Sequence, residues 1–185
     1  MSYRTLAIIP LATLALPLWC ASSAVPGIEN FHEIDQKVYR GAQPSEEGFK
    51  YLAGLGVKVV IDLREHDGLS LAEEKTVTAS GMRFVNVPMT GKTPPTEAEI
   101  NTILSLLEDP AAGPVFVHCK RGADRTGAVI AAYRIDHDKW DNYSALKEAQ
   151  ADGMSRLQFP RRKYIKTFQA RLVESVSASE QGEFQ

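Results

Sequence analysis

The chain has few cysteines: only Cys20 and Cys119 occur among its 185 residues. Cys20 lies in an N-terminal segment that we expect to be removed, and its loss would leave Cys119 as the only thiol. Without a second cysteine, the remaining chain cannot form an internal disulfide. A single thiol in an exported protein is either buried and inert or kept for chemistry, and the residues around Cys119 favour chemistry.

The chain also lacks a strong net charge. Its 21 lysine and arginine residues against 23 aspartate and glutamate residues give a formal net charge of -2, and this value does not support a nucleic-acid partner. It has no internal repeat, and its only low-complexity stretch is a Ser/Glu/Gln-rich tail, so we expect residues 175–185 to be disordered. We expect one folded domain over residues 25–174 and a monomer.

The N-terminal apolar run is too short and too interrupted to span a bilayer. Residues 6–19 contain two prolines and fall short of the ~20 apolar residues that a spanning helix needs. With the basic Arg4 before them and small residues up to Ala24 after them, they have the three regions of a secretory signal peptide. We therefore expect cleavage near Ala24, export to the periplasm or the medium, and no stable membrane insertion after processing. The alternatives are a retained anchor and lipidation at Cys20, which the bulky Trp19 before it disfavours.

The most informative segment is Val115-Phe-Val-His-Cys-Lys-Arg-Gly-Ala-Asp-Arg-Thr-Gly127, with a cysteine and an arginine at the two ends of a glycine-containing loop. The apolar run 115–118 predicts a buried strand, and residues 126–134 predict a helix with an apolar face. At such a junction the backbone amides of residues 120–125 can converge near the positive end of the helix. The loop therefore predicts a phosphate-binding site.

Cys119 and Arg125 have the chemistry of a nucleophile and a phosphate ligand. The helix dipole, the loop amides and Arg125 would favour the thiolate of Cys119 and lower its pKa. The planar guanidinium of Arg125 can bind two phosphoryl oxygens and stabilise the charge that develops in the transition state. Gly122 supplies backbone freedom in the loop, and Thr126 places a hydroxyl within reach of the sulfur.

The segment His118–Gly127 resembles the H-C-x5-R-[ST]-G signature of the cysteine-dependent protein tyrosine phosphatase superfamily. Within that superfamily, the chain resembles compact atypical dual-specificity phosphatases of the plant and fungal type and their bacterial relatives. The likeness includes Val38–Ser45 and Val57–Arg64 and covers roughly residues 31–170. It identifies the expected domain, residues 25–174, as a phosphatase domain.

The resemblance implies a role for several loop residues. Cys119 would form a phosphocysteine intermediate, and Arg125 would bind the substrate and the transition state. Thr126 would help the thiol to leave when water hydrolyses the intermediate, and His118 would orient the loop by hydrogen bonding. No metal or organic cofactor is implied. The predicted substrate-binding residues are His118, Lys120, Arg121, Gly122 and Ala123.

The general acid of the family is missing from its usual place, because residues 82–95 contain no carboxylate. A leaving alkoxide or phenolate needs a proton, worth about 10²- to 10⁴-fold in rate, so a donor should lie elsewhere. Our candidate is Asp124, because the Asp-Arg-Thr order resembles phosphoinositide phosphatases of the myotubularin and Sac types, where an in-loop aspartate has been proposed as the acid. Alternatively, Asp124 caps the following helix. Glu97 and Glu99 are further candidates, although a predicted capping box accounts for Glu99.

Alternating strands and helices predict an α/β fold. The order argues for a central, mostly parallel sheet of about four to five strands flanked by helices, as in dual-specificity phosphatases. Ligands of such sheets bind beyond the carboxyl ends of the strands, where the loop after residue 118 would lie. The predicted strands are 31–34, 37–40, 57–63, 83–88 and 115–118, and the predicted helices are 45–56, 71–80, 96–108, 126–138, 142–152 and 159–175.

The substrate class stays open between phosphotyrosine or phosphoprotein and inositol phosphates or phosphoinositides. Lys120 and Arg121 make the loop more cationic than one phosphotyrosine requires, which favours substrates with several phosphates. The resemblance also implies action on inositol pyrophosphates and phosphoprotein, whereas export argues for phosphotyrosine on secreted proteins or for environmental inositol phosphates. A second basic group at residues 161–163 either faces the cleft or forms a solvated helix face, which is the commoner explanation.

Two other functional classes stay open as alternatives. A rhodanese-type sulfurtransferase also uses a cysteine loop after a strand, although the Arg-Thr-Gly ending and the loop length resemble the phosphatase pattern better. A catalytically weak phosphate-binding module is suggested by the missing upstream aspartate.

Overall fold

A five-stranded sheet lies at the centre of the computed structural model, which describes residues 25–171. Its strands are β1 (His32–Glu33), β2 (Val38–Ala42), β3 (Val59–Asp62), β4 (Arg83–Asn86) and β5 (Val115–Cys119). In space they follow the order β1-β2-β5-β3-β4. Only the β1–β2 pair is antiparallel. The predicted mostly parallel sheet is therefore confirmed.

The register of the sheet brings the carboxyl ends of three strands together. Ala42 at the end of β2 lies opposite Cys119, and Asp62 at the end of β3 lies opposite His118. The five residues of the central strand β5 are all buried, as expected for a parallel strand that is covered on both faces. The chain therefore leaves β5 at Cys119 between two flanking strands, at the edge where ligands of such sheets bind.

Six helices cover the two faces of the sheet. They are α1 (Glu46–Gly54), α2 (Gly68–Ala79), α3 (Glu97–Glu108), α4 (Asp124–Asp136), α5 (Asn142–Ala151) and α6 (Phe159–Thr167). Because side chains alternate along a strand, Val115 and Val117 pack in the cluster that includes α3 and α4, whereas Phe116 packs with residues of α1 and α2. The core thus has one apolar layer on each side of β5.

Helix α4, which follows the cysteine loop, is buried along most of its length. Val129 and Ile130 belong to the cluster beneath the sheet, whereas Ala128 and Ala131 pack with apolar residues of α5 and α6. The small alanine side chains let α5 and α6 approach α4 closely. Burial on opposite sides explains why this helix is apolar around most of its circumference.

Two helix ends differ from the prediction by three residues or more. α2 begins at Gly68, earlier than predicted, because the Asp67 side chain caps its first amides. α6 ends at Thr167 instead of continuing to residue 175. Phe168 has an extended backbone, and Asn142 donates hydrogen bonds to carbonyls in this last turn. Both boundaries therefore depend on polar side chains outside the apolar pattern of the helix.

The predicted signal peptide, residues 1–24, and the predicted disordered tail, residues 175–185, lie outside the described residues. Within residues 25–171, no helix has both the length and the apolar character required to cross a membrane.

Candidate active site

The loop between β5 and α4 forms a pocket at the carboxyl edge of the sheet. The pocket has a volume of about 250 Å³ and is lined by Gly91, Cys119, Lys120, Arg121, Asp124, Arg125 and Gln158. Five of these seven residues were predicted from the sequence. The other predicted residues lie buried behind the pocket: His118, Gly122, Ala123 and Thr126.

The environment of Cys119 favours its thiolate. Burial by itself raises the pKa of the thiol, but hydrogen bonds from the side chain and backbone of Thr126, the positive charge of Arg125 and the amide of Arg121 outweigh it and lower the pKa below its usual value. The Thr126 hydroxyl is buried and has no aligned hydrogen-bond partner among residues 25–171, so it is free to turn toward the neighbouring sulfur. The surroundings of Cys119 thus favour the charged form, which is the nucleophilic one.

Arg125 is held by two backbone carbonyls at the ends of neighbouring strands. Its Nη1 donates to Leu63 O at 3.3 Å and to Met89 O at 3.2 Å. Leu63 directly follows β3, and Met89 lies in the connection after β4. Its Nε and Nη2 make no hydrogen bond with any other described residue, so these two donors stay free in the pocket that Arg125 lines. Two parallel donors are what bidentate binding of a phosphate requires.

Gly122 lets the loop pass directly over strand β2. Its φ is +66°, and a Cβ at this position would lie 2.4 Å from Gly41 C and 2.5 Å from Ala42 N. No larger residue fits without a shift of backbone. Gly122 O accepts a hydrogen bond of 2.5 Å from Arg40, whose guanidinium is fully buried and also donates to Asp152 Oδ2 at 2.7 Å. The predicted role of Gly122 thus has a geometric basis in this close approach.

His118 contacts helix α2 rather than the loop. Its Nε2 lies 2.7 Å from Glu73 Oε1, and its ring stacks on Phe116 with the centroids 5.6 Å apart. The contact with Glu73 is close but is not an aligned hydrogen bond, since neither ring nitrogen of His118 has a hydrogen-bond partner among residues 25–171. The expected hydrogen bond from this ring to the loop is therefore not formed. Because its side chain is fully buried, His118 supports the site from behind.

A buried ion cluster lies beneath the carboxyl ends of β3 and β5. Asp62, Glu73 and His118 place possible metal-ligand atoms within 4.8 Å of one another, but Arg64 donates from Nη2 to Asp62 Oδ2 at 2.8 Å and to Glu73 Oε2 at 2.5 Å. Burial raises the pKa of Asp62, but the hydrogen bonds and the charge of Arg64 together with the neighbouring His118 outweigh it, so the net shift is downward. The Arg64 guanidinium therefore supplies the positive charge of this cluster.

Asp124 is the first residue of α4, and both of its carboxylate oxygens accept hydrogen bonds. Oδ1 accepts from Ser155 N at 2.8 Å, and Oδ2 accepts from the Arg121 guanidinium. Since α4 has no side-chain cap hydrogen bond, Asp124 does not cap this helix by hydrogen bonding, although its place in the first turn lets the carboxylate complement the helix dipole. In this arrangement Arg121 must move away before Oδ2 can carry a proton to a leaving group. The role of Asp124 as general acid stays a prediction.

The two further carboxylate candidates lie at the start of α3. The predicted capping box is confirmed: Thr96 Oγ1 accepts from Glu99 N at 3.3 Å, and Glu99 Oε2 accepts from Thr96 N at 2.6 Å. Neither Glu97 nor Glu99 is among the residues that line the pocket. Glu99 therefore has the structural role that the capping box predicts.

Sequence reasoning missed Gln158, which directly precedes α6, and left Arg161 open between the cleft and a solvated helix face. Gln158 lines the pocket. Arg161 is fully buried and donates to Thr90 O at 2.6 Å, to Gly91 O at 2.9 Å and to Gln158 Oε1 at 2.6 Å. For Arg161, the predicted solvated helix face is therefore wrong.

A helical-spacing signal for Arg161 was present in the sequence. Arg161 and Ile165 are four residues apart, so they lie on the same face of a helix. They are the two buried residues of α6, whereas Lys163 and Lys166 are exposed. Because Ile165 is apolar, its face of the helix is expected to be buried, and Arg161 on the same face is then expected to be buried too.

The family model and a curated relative that match this chain both describe phosphatases of the dual-specificity type. The family described as "PTP-NADK: DSP-PTPase phosphatase fused to NAD+ Kinase" matches residues 20–167. The dual specificity protein phosphatase TpbA of Pseudomonas aeruginosa is 33% identical over 138 residues, which are 74% of this chain and 60% of TpbA. The inositol diphosphatase DSP5 of Arabidopsis thaliana is 31% identical over 129 residues, which are 65% of this chain and 60% of that protein. The chain thus spans less than two thirds of the length of these curated relatives.

Solved structures show the same fold. The crystal structure of P. aeruginosa TpbA in complex with pTyr has a TM-score of 0.64 and 26% identity, and the match covers 80% of this chain and 92% of that chain. The core catalytic domain of the PP-IP phosphatase SIW14 from S. cerevisiae has a TM-score of 0.68 at 24% identity, with coverage of 78% and 88%. The predicted dual-specificity phosphatase fold is therefore confirmed.

Proposed function

The chain belongs to the atypical dual-specificity phosphatase family, and we propose that it hydrolyses phosphate monoesters through a phosphocysteine intermediate on Cys119. The observation that carries this proposal is the pocket in which a thiol of lowered pKa lies beside an arginine with two free donors. Nucleophile and phosphate ligand are thus in one cavity, at the end of one buried strand.

The geometry supports a two-step displacement. The thiolate of Cys119 attacks phosphorus, the sulfur–phosphorus bond forms, and the ester oxygen leaves with its electron pair and takes up a proton. Water then attacks the phosphocysteine, inorganic phosphate is released, and the thiolate returns. Nε and Nη2 of Arg125 bind the phosphoryl oxygens in both steps, and the Thr126 hydroxyl donates to the sulfur as it leaves.

We propose two substrate classes, phosphotyrosine in proteins and inositol phosphates. Lys120 and Arg121 both line the pocket and add positive charge beside Arg125, which favours an anion with several phosphate groups. Among the relatives, TpbA has been solved with pTyr, and DSP5 is named an inositol diphosphatase. Both classes present a phosphate group to the same thiol.

The N-terminal pattern supports a further proposal about the compartment. A basic start, an apolar core and small residues up to Ala24 are typical of an export signal, so we infer that the protein acts outside the cytoplasm. Fractionation of expressing cells and N-terminal sequencing of the product test this inference. Cytoplasmic protein with an intact N-terminus would contradict it.

A phosphate-release screen tests the proposed activity. The protein without residues 1–24 is incubated with phosphotyrosine peptides, phosphoinositides and inositol polyphosphates, and Cys119→Ser serves as the blank. We expect turnover that Cys119→Ser abolishes and that chelators leave unchanged. Turnover in Cys119→Ser would exclude the covalent mechanism.

Two further assays separate the alternative functions. Sulfur transfer from thiosulfate without phosphate release would support a rhodanese-type sulfurtransferase. Tight binding of phosphorylated ligands with negligible release would support a phosphate-binding module. The relatives named above carry phosphatase names, which favours phosphatase activity over these two alternatives.

A further inference from the structure

We propose that Arg161 is a positioning residue of the phosphatase reaction: it holds residues 89–91 against α6 and, through them, keeps Arg125 aligned for phosphate binding. This inference rests on the proposed function, because it assigns a role in the same pocket. Arg161 itself is fully buried and does not line that pocket.

The hydrogen bonds of Arg161 all go to residues 90–91 and to the side chain of Gln158. Nη2 donates to Thr90 O, and Nη1 donates to Gly91 O and to Gln158 Oε1. Gln158 Nε2 approaches the same Gly91 O at 3.4 Å. Both Gly91 and Gln158 line the pocket. Arg161 therefore joins α6 to the wall of the site that faces the cysteine loop.

The same segment is the support of Arg125. Met89 O accepts from Arg125 Nη1, and the next two carbonyls, of Thr90 and Gly91, accept from Arg161. Three successive carbonyls thus bridge two guanidinium groups. A displacement of this backbone would move Met89 O, the carbonyl that binds Nη1 of Arg125. The guanidinium would then turn, and Nε and Nη2 would no longer point at the phosphate. A misplacement of about 1 Å in an active site can cost about 10²-fold in rate.

The charge of Arg161 is not compensated by a carboxylate of the described residues. Burial of a guanidinium is costly unless an anion compensates it, and Arg161 forms no ion pair with any carboxylate of residues 25–171. Burial and the nearby Arg125 lower the pKa of Arg161, while Asp124 and Cys119 act in the opposite direction. The anion that would compensate two neighbouring guanidinium groups is the phosphate of the substrate together with the thiolate.

This role also accounts for the composition of the segment. Residues 82–95 contain no carboxylate, so this stretch cannot supply the carboxylic acid that the family usually places there. Held by Arg161, it contributes backbone carbonyls and a wall instead. Residues 89–91 are thus held by Arg161 on the side of α6 and by Arg125 on the side of the cysteine loop.

Substitutions at Arg161 test the proposal. Arg161→Met removes the charge and the donors but keeps the apolar stem, whereas Arg161→Lys keeps the charge but lacks the planar fork that reaches two carbonyls. Lys163→Met, at an exposed position of the same helix, is the matched control. Four quantities are measured: kcat and KM on an aryl phosphate, tungstate affinity by calorimetry, the pH profile of Cys119 alkylation by iodoacetate, and the thermal midpoint.

We expect Arg161→Met to lower kcat and tungstate affinity about 10- to 100-fold and to move the alkylation profile to higher pH, since a positive charge near the thiolate is lost. Arg161→Lys should keep the alkylation profile but lose several-fold in kcat, and Lys163→Met should match the parent protein. If Arg161→Met does not fold, the proposal is tested by Arg161→Lys alone: a several-fold loss in kcat supports it, and an unchanged kcat overturns it.

The proposal is overturned if the folded variants keep kcat and tungstate affinity within twofold, or if only the thermal midpoint falls. Tungstate binding and alkylation do not require turnover. A parent protein whose tungstate affinity depends on Arg161 but that releases no phosphate would therefore contradict the proposed function and leave the positioning role supported.

Discussion

Arg121 and Asp124, three residues apart in the cysteine loop, form an ion pair at the mouth of the pocket. The second oxygen of Asp124 accepts from Ser155 N, so the carboxylate joins the loop to the segment before α6. An anionic substrate would compete with Asp124 for Arg121, because both are ligands for the same guanidinium. Substrate binding and release of the carboxylate are therefore coupled by this pair.

Asp124→Asn tests whether the released carboxylate acts as the general acid. A donor matters most for a poor leaving group, so we expect a loss of about 10²-fold or more in kcat on an alkyl phosphate and a much smaller loss on an aryl phosphate. Steady-state kinetics on the two substrates measure the difference. Equal small losses on both would show that Asp124 only joins the loop to Ser155.

The cysteine loop could be predicted from the sequence because its functional groups are neighbours along the chain. Cys119, Arg125 and Thr126 belong to one strand–loop–helix unit, and the apolar pattern on either side determines its place in the sheet. The prediction for Asp124 was incomplete because its partner Ser155 lies 31 positions away. Nothing in the local pattern distinguishes a helix cap from such a contact.

The supporting residues could not be predicted in the same way. Arg40 meets Gly122 across 82 positions, and Arg161 meets Thr90 across 71. These contacts depend on how β2 and α6 pack, and packing of that kind leaves only a weak spacing signal in the sequence. For His118, the resemblance implied a hydrogen bond to the loop, but burial beside α2 provides a carboxylate neighbour, Glu73, instead.

Thr126→Val should shift the pH dependence of activity. The hydroxyl of Thr126 stabilises the thiolate and so lowers the pKa of Cys119; without it the pKa rises. Because the thiolate is the reactive form, kcat/KM increases as the pH rises through this pKa, and the acid limb should move to higher pH in Thr126→Val. At a pH below the new limb we expect about a 10-fold loss. Thr126→Ser, which keeps the hydroxyl, should retain the original limb, and an unmoved limb in Thr126→Val would exclude the hydrogen bond as a cause.

Gly122→Ala should destabilise the protein and damage the site together. Its positive φ alone costs a non-glycine residue about 1–3 kcal/mol, and the added Cβ would meet the backbone of Gly41 and Ala42. We expect a lower free energy of unfolding in urea and weaker tungstate binding. Gly54→Ala is the control, because Gly54 lies in α1 with open space around its Cβ position and should be neutral or slightly stabilising. Parent-like tungstate affinity in Gly122→Ala would show that the loop can move off β2 without loss of function.

Lys120 and Arg121 should discriminate between the two proposed substrate classes. Both line the pocket beside Arg125, and both side chains are exposed, so neither is required for the fold. A second phosphate group on the substrate would gain a charge-assisted hydrogen bond from one of them, worth about 10-fold or more in kcat/KM. We therefore expect Lys120→Met and Arg121→Met to lower kcat/KM on an inositol polyphosphate by that factor, and to change it on a singly phosphorylated tyrosine peptide by no more than about threefold. The effect on the polyphosphate should also weaken as salt is added, because exposed charges are screened. Equal losses on both substrates, independent of salt, would mean that these residues serve the single phosphate at Cys119 and give no preference for multiply phosphorylated substrates.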